Sequence, residues 1–183
     1  SDIVIHSNFK IFQDVLADGG IVKGFNAPGC AEYSRNQLAE LTAFVKSRGA
    51  PGLMTIAIDR DVESVDDIYK DKIKSILTPH VSLEDIKEMC RRTDAKGGDL
   101  LLLVAGPTKA ANVALGQLRN YMGEQLGLAD PTLLAFAIID DFPLFEWSEE
   151  EQGWTPSHHP FTMPYTEDLE NLEKDPGKVR AYC

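Results

Sequence analysis

Residues 99–105 read Asp99-Leu100-Leu101-Leu102-Leu103-Val104-Ala105, with Gly97-Gly98 in front and Gly106 behind. After Asp99 no polar side chain interrupts the run, so neither face of this segment suits contact with water. A strand buried on both sides, or paired at the centre of a sheet, is the structure such a run predicts. The run is also far short of the roughly 20 apolar residues a membrane helix needs, and no longer one occurs. The chain is therefore expected to build a soluble sheet around this segment. At 183 residues it is long enough to bury a substantial core.

The flanking sequence supplies partners for that strand. Phe9-Lys10-Ile11-Phe12 and Ile21-Val22-Lys23-Gly24-Phe25 alternate apolar with polar or small residues, which predicts two short strands. Leu53-Met54-Thr55-Ile56-Ala57-Ile58, fenced by Pro51-Gly52 and Asp59-Arg60-Asp61, predicts another. Three helices are expected between and after them. Ser34 with Gln37 three residues on forms a capping-box signal, and Leu38, Leu41 and Val45 then share one face as far as Arg48-Gly49. Ser82 with Asp85 opens a second helix, with Leu83, Ile86 and Cys90 as its apolar face, ending near Asp94. Pro107-Thr108 opens a long third one, carrying Ala111, Leu115, Leu118 and Met122 and closed by Gly127. Between them, Ile68, Ile73 and Leu77 hint at a charged helix without deciding it. The predicted fold is α+β: a two-layer domain with a mostly antiparallel four-stranded sheet and helices on one side.

Asp130-Pro131 ends the long helix, and the pattern changes to Ala135-Phe136-Ala137-Ile138-Ile139, read as a strand. The stretch DFPLFEWSEEEQGWTPSHHPFT follows, with two Trp, three Phe and a His pair around an acidic turn. A hairpin is expected there, with Trp147 and Trp154 packed across it and Glu149-Glu150-Glu151 a solvated turn. That much exposed aromatic surface should complete another sheet. Thr166 is expected to cap a short acidic helix carrying Leu169 and Leu172 and ending at Asp175-Pro176-Gly177.

Charge sharpens the division. The net charge is −11, and residues 141–175 hold ten acids against Lys174 alone. Nucleic-acid binding draws on Lys and Arg at phosphates, so strong binding of tRNA by this acidic chain alone, or of DNA, is not expected. Arg91-Arg92 with Lys87 is the one modest basic cluster, and a solvated helix face explains it. Cys30, Cys90 and Cys183 are odd in number and scattered, which fits neither a disulfide framework nor a zinc site. Cys90 reads as a small core residue and Cys30 as an unactivated loop thiol. With no secretory pattern at Ser1-Asp2-Ile3-Val4, a cytoplasmic setting is expected.

Asn26-Ala27-Pro28-Gly29-Cys30-Ala31, Ser34-Arg35-Asn36-Gln37, Gly49-Ala50-Pro51-Gly52-Leu53, Gly97-Gly98-Asp99 and Gly116-Gln117-Leu118-Arg119 occur in order, followed by Asp141-Phe142-Pro143-Leu144-Phe145-Glu146 and His158-His159-Pro160-Phe161-Thr162. On these motifs the chain resembles bacterial-type aspartyl-tRNA synthetases over nearly its whole length. The resemblance implies that residues 1–8 end a preceding catalytic-domain segment. Residues 9–131 would form the insertion (GAD) domain, shared with a subunit of the glutamyl-tRNA amidotransferases. Residues 132–183 would return, incomplete, to the antiparallel sheet of the class II catalytic domain. It further implies that the parent activates L-aspartate with ATP and Mg2+, passes it to tRNA and works as a homodimer. His158 and His159 would belong to the aspartate pocket, His158 in the more direct contact. The F-R-x-E and G-x-D-R arginine segments of the class are not in this sequence, so no catalytic residue is assigned, no cofactor is expected to bind the chain, and the chain alone should be inert. The alternative is a non-catalytic tRNA-associated module like the amidotransferase domain.

Plainer readings compete at each site. Adjacent strand residues face opposite ways, so His158 and His159 could be an ordinary surface pair and are not spaced to share a metal. Asp140-Asp141 could pass for an acid–base pair, but one carboxylate orienting backbone beside a solvated neighbour is the simpler expectation.

Overall fold

The computed structural model describes residues 1–159 and 161–182 and divides the chain into two compact units, Ser1–Asp130 and Pro131–Cys183.

In the first unit, α1 (Lys10–Ala17) leads into strand β1 (Ile21–Ala27), followed by α2 (Arg35–Lys46), β2 (Met54–Ile58), the short β3 (Ile73–Lys74), α3 (Leu83–Arg92), β4 (Leu100–Gly106) and α4 (Thr108–Gln125). The strands form one antiparallel sheet in the order β1-β4-β2-β3. The apolar run is interior as expected: β4 pairs along its length with β1, from Ile21 opposite Gly106 to Ala27 opposite Leu100, and on its other edge with β2. Every residue of β4 is buried.

Alternation along β4 divides its side chains between two cores. Leu101, Leu103 and Ala105 pack with Phe12 of α1 and Ile86, Met89 and Cys90 of α3. Leu100, Leu102 and Val104 pack with Leu41 and Val45 of α2 and Ala111, Leu115, Leu118 and Met122 of α4. Helices thus cover both faces, and the expectation of helices on one side is corrected. A strand apolar on both faces needs cover on both, or one row of leucines would lie in water.

Local chemistry sets the helix starts. The Ser34 hydroxyl accepts from the Gln37 amide at 3.3 Å while the Gln37 side chain accepts from the Ser34 amide at 2.9 Å, a complete capping box. Ser82 caps α3 by accepting from the Asp85 amide at 3.0 Å, with acids in the first turn and Arg91 and Arg92 in the last, matching the helix dipole. Asp99 accepts from Asn26 Nδ2, the Gly29 amide and the Lys96 amide at 2.8 to 2.9 Å, tying the start of β4 to the loop after β1. Gly97 lies against backbone there: a Cβ would sit 2.3 Å from the Val62 carbonyl oxygen.

Two further expectations are corrected in this unit. Phe9-Lys10-Ile11-Phe12 is not a strand; residues from Lys10 onward form α1, with Phe12 fully buried and Val15 and Leu16 packed beside it. Spacing of three and four places these on one helical stripe, a period that a four-residue window cannot reveal. The fourth strand is β3 instead. Around it Ile68, Ile73 and Leu77 are buried as a helix would bury them, but from the residue after a 3-10 turn, from β3 and from a turn beyond it. Ser64 and Ser75 accept from the amides of Asp66 and Leu77, offering the backbone turns in place of a helix. Residues 1–8 pack within this unit: Val4 is buried and the Ser1 amine donates to the Val22 carbonyl at 2.9 Å.

The second unit is built from short pieces. Strand β5 (Phe142–Pro143) pairs with β8 (Arg180–Ala181), and β6 (Phe145–Ser148) pairs with β7 (Gly153–Pro156) in an antiparallel hairpin. Between β7 and β8 lie the brief α5 (Asn171–Lys174), a 3-10 turn after it at Pro176–Lys178 and one before it at Thr166–Asp168. Thr166 sits inside that earlier turn without capping it, since Tyr165 takes the preceding position and makes no side-chain cap. The predicted strand at Ala135-Phe136-Ala137-Ile138-Ile139 is not formed; residues 133–140 carry no regular structure. Its apolar character was read correctly, but a strand exists only when paired, and this segment pairs with no other among the described residues. Phe136 and Ile138 are 91% and 97% exposed.

Candidate functional site

The hairpin brings Trp147 opposite Trp154, with ring centroids 5.6 Å apart and planes at 80°, an edge-to-face cross-strand pair as expected. Glu149, Glu150 and Glu151 occupy its exposed turn. Just past β7, His158 and His159 both lie exposed and meet different aromatic partners. The His158 ring is 5.1 Å from Phe142 of β5; the His159 ring is 4.8 Å from Phe161, and His159 Nδ1 accepts from the Phe161 amide at 3.4 Å. The two imidazoles are therefore not brought to one point. Pro160 of the HHPFT motif lies outside the described residues, as does Cys183.

A backbone relay fixes the His158 segment. Leu144 donates to the Val179 carbonyl at 2.8 Å, and its own carbonyl accepts from the Ser157 amide at 3.0 Å. Leu144, Val179 and Ala181 form the small apolar core beneath. Beside it the Ser157 hydroxyl is buried with no partner among the described residues.

Arg180 is the residue that sequence reasoning missed. Its guanidinium grips Asp168 through two nitrogens, at 2.8 and 3.1 Å, and reaches Glu167 at 3.3 Å and Asp141 at 3.2 Å. It also lies 4.7 Å above the ring of Tyr165. The Tyr165 hydroxyl donates to Asp140 at 2.9 Å, and its ring stacks on Tyr182 at 4.2 Å. The only available signal was compositional: residues 141–175 hold one Lys against ten acids, and Arg180 is the next arginine in sequence.

Electrostatics follow this geometry. The Arg180 hydrogen bonds hold the Asp168 carboxyl below its ordinary range, and the same pairing raises the arginine's own proton affinity. Asp140 is lowered first by the Tyr165 hydroxyl and then by the Asp141 amide, which donates to it at 2.9 Å. In return Tyr165 is pushed up to about 12. Asp140 thus orients backbone, as expected, while Asp141 meets Arg180 rather than solvent alone.

Elsewhere the candidates take their simpler readings. Arg91 meets Glu84, Asp66 and Glu88, and Arg92 meets Asp2 and Glu88, so those charges are satisfied within the helix surface. Cys90 is fully buried, and burial pushes its thiol up to about 11. Cys30 is buried with its Sγ donating to the Pro28 carbonyl at 3.4 Å. An open groove of about 800 Å³ runs in the first unit beside β1 and the ends of α3 and α4. It is lined by Arg92 and Arg119 but also by Asp94 and Glu124, so it selects neither sign of ligand charge. Among the described residues no three His, Cys, Asp or Glu side chains are grouped to hold a metal ion, and no helix is long and apolar enough to cross a membrane.

Comparison with known proteins places these units in context. The GAD domain family matches residues 12–115, more than half the chain. The Aspartate--tRNA(Asp/Asn) ligase of Geotalea uraniireducens (strain Rf4) is 46% identical across 99% of this chain and 29% of its own length. That of Dehalococcoides mccartyi (strain BAV1 among its names) is 41% identical across 100% of this chain and 31% of its own. The Aspartate--tRNA ligase of Ruminiclostridium cellulolyticum is 40% identical across 99% and 29%. The chain spans less than a third of the length of these curated relatives.

Proposed function

The chain belongs to the GAD domain family, and from that premise we propose that it is the insertion domain and adjoining catalytic segment of an aspartate–tRNA ligase. The observation that carries this reading is that likeness to the ligases runs through both units, covering 99 to 100% of the chain, while the GAD match itself stops at residue 115. A bare GAD-type binding module would not call for the second unit, with its aromatic hairpin and His pair.

In this reading the parent joins aspartate to tRNA at the cost of ATP, in the cytoplasm and as a homodimer, and His158 and His159 face the amino acid. A neutral imidazole can donate and accept at once, which suits a ligand bearing both carboxylates and an ammonium. His158, backed by Phe142 at 5.1 Å, has one side shielded from water and the other open. His159 leans on Phe161 and takes the secondary place. ATP and magnesium belong to the parent's reaction in this reading, and no residue of this chain is assigned to hold either. No step is therefore assigned to magnesium here.

Two measurements test the reading. In the full-length protein, His158→Ala should raise the KM for aspartate by about ten- to a hundredfold, the loss of one hydrogen bond to a charged group. The KM for ATP should stay within about twofold, and equal effects on both substrates would overturn the pocket assignment. Residues 1–183 alone should give no aspartate-dependent pyrophosphate exchange, and turnover would show that the arginine-bearing segments are dispensable.

A further inference from the structure

We propose that Arg180 is a positioning residue for aspartate recognition, acting on His158 through the Asp141–Phe142 corner and the Val179–Leu144–Ser157 backbone relay. This rests on the assignment of His158 to the aspartate pocket.

The mechanical path is short. Asp141 has φ of +52°, a left-handed conformation that costs a residue with a side chain something to hold. Two interactions keep it there: its amide donates to Asp140 Oδ1 at 2.9 Å, and its carboxylate meets Arg180 at 3.2 Å. The next residue is Phe142, whose ring is the aromatic neighbour of His158. Arg180 therefore sets the direction in which Phe142 leaves the corner.

The second path runs through main chain. Arg180 sits in β8 opposite Pro143, and Ala181 sits opposite Phe142. The residue before Arg180, Val179, accepts from Leu144, and Leu144 accepts from Ser157, the residue before His158. The Asp168 carboxylate holds β8 in that register by accepting from both the Arg180 amide at 3.0 Å and its side chain.

The charges make the role specific to arginine. Asp141, Glu167 and Asp168 converge within 3.3 Å of one guanidinium, and the planar fork serves them in several directions at once. A lysine keeps the charge but has one ammonium, so it cannot meet Asp168 through two nitrogens and still reach Asp141. Unneutralised, these carboxylates would also repel the carboxylates of an aspartate ligand.

The test uses the full-length protein with L-aspartate and ATP as probes. Arg180→Lys is expected to raise the aspartate KM about tenfold, with the ATP KM unchanged, as a misplaced binding group does. In a His158→Ala background the same change should add less than about twofold, because a residue acting through His158 has nothing left to position. Asp141→Asn, which weakens the corner and spares the Asp168 pair, should move the aspartate KM the same way by a smaller factor and serves if Arg180→Lys does not fold. A purely structural Arg180 would lower the thermal midpoint while leaving the aspartate KM unmoved, or would multiply its effect with that of His158→Ala, and either result overturns the proposal. If His158→Ala raises the aspartate KM but neither other variant does, this inference fails alone; if His158→Ala itself does nothing, the pocket reading fails.

Discussion

The two units solve the problem of apolar surface in opposite ways. In residues 1–130 the leucines of β4 disappear into two cores, one under α1 and α3 and one under α2 and α4. In residues 131–182 the buried apolar set is Leu144, Val179 and Ala181. Leu134, Phe136 and Ile138 there stand 80 to 97% exposed. What orders the second unit is charge: one arginine shared among three carboxylates, a tyrosine on a fourth, and a hairpin closed by two tryptophans. Hydrophobic burial scales with the area removed from water and supports a domain by itself, whereas exposed ion pairs contribute little each. The difference teaches that the first unit is a self-contained globule. The second has the makings of an edge, with an apolar segment that asks for a sheet to join.

Both tryptophans of the chain, Trp147 and Trp154, lie in the second unit. Their fluorescence therefore reports that unit, while far-ultraviolet circular dichroism is dominated by the helices of the first. The largest effect is expected for Leu102→Ala. Leu102 is fully buried between β4 and helices α2 and α4, and its truncation should cost about 3 to 4 kcal/mol in urea unfolding followed by dichroism. The fluorescence transition should not move. A shift of both together would mean that the units unfold as one and would break the comparison.

Asp99→Asn comes next, at about 2 kcal/mol in the same dichroism experiment. The carboxylate is buried and accepts three hydrogen bonds. An amide can accept through one oxygen only and turns a donor toward the Gly29 or Lys96 amide. A loss no larger than that of an exposed acid would show the Asp99 clasp to be ornamental to the first unit.

Acid should separate the units in the other direction, with a more modest effect. Asp168 and Asp140 have folded-state values below the ordinary 3.8. Their contribution is thus fully present above about pH 4 and is lost as the pH falls through the lowered values. At the alkaline end Tyr165 is raised from 10.0 to about 12, so its contribution is present below pH 10 and fades between 10 and 12. The tryptophan signal should show both limbs, and Asp168→Asn should flatten the acid one. An unchanged acid limb in that variant would remove Arg180–Asp168 from the account of what orders this unit.

How much of this was legible in the sequence follows the same divide. The capping box at Ser34, the Ser82 cap, the central place of β4 and the long α4 could be read because each signal is local or continuous. The strand at Phe9-Lys10-Ile11-Phe12 was misread because four residues hold barely one period of a helical stripe, and Val15 and Leu16, which continue it from Phe12, lie beyond that window. That helices cover both faces was implicit in the unbroken leucines but hidden by the assumption of two layers. In the second unit, the tryptophan pair and the acidic turn were readable from spacing. Arg180 was not, because its partners at 141, 167 and 168 come from separate segments that only pairing of β5 with β8 brings together. The segment around Phe136 showed its chemistry but not its state, since pairing depends on a partner strand that a single sequence pattern does not name.

The smallest expected effect sharpens the comparison most, because it probes apolar contact where little is buried. Trp147 and Trp154 are each 43% exposed, so truncating one removes a half-buried ring rather than a core residue. The two rings are not equivalent, however. Trp154 also lies over Gly177, so close that a Cβ there would come within 2.6 Å of the ring, and it joins the hairpin to the turn before β8. Trp147 has the edge-to-face contact across the hairpin as its aromatic partner. Trp147→Ala should therefore cost about 0.5 to 1 kcal/mol, the worth of one cross-strand aromatic pair, with the remaining fluorescence of Trp154 as the probe. Trp154→Ala should cost more and should also loosen the β5–β8 pairing, seen as faster amide exchange at Leu144, whose amide donates to the Val179 carbonyl just before β8. If the two truncations cost the same and leave that exchange unchanged, the hairpin is an independent flap, and the order around His158 comes from the arginine clasp alone.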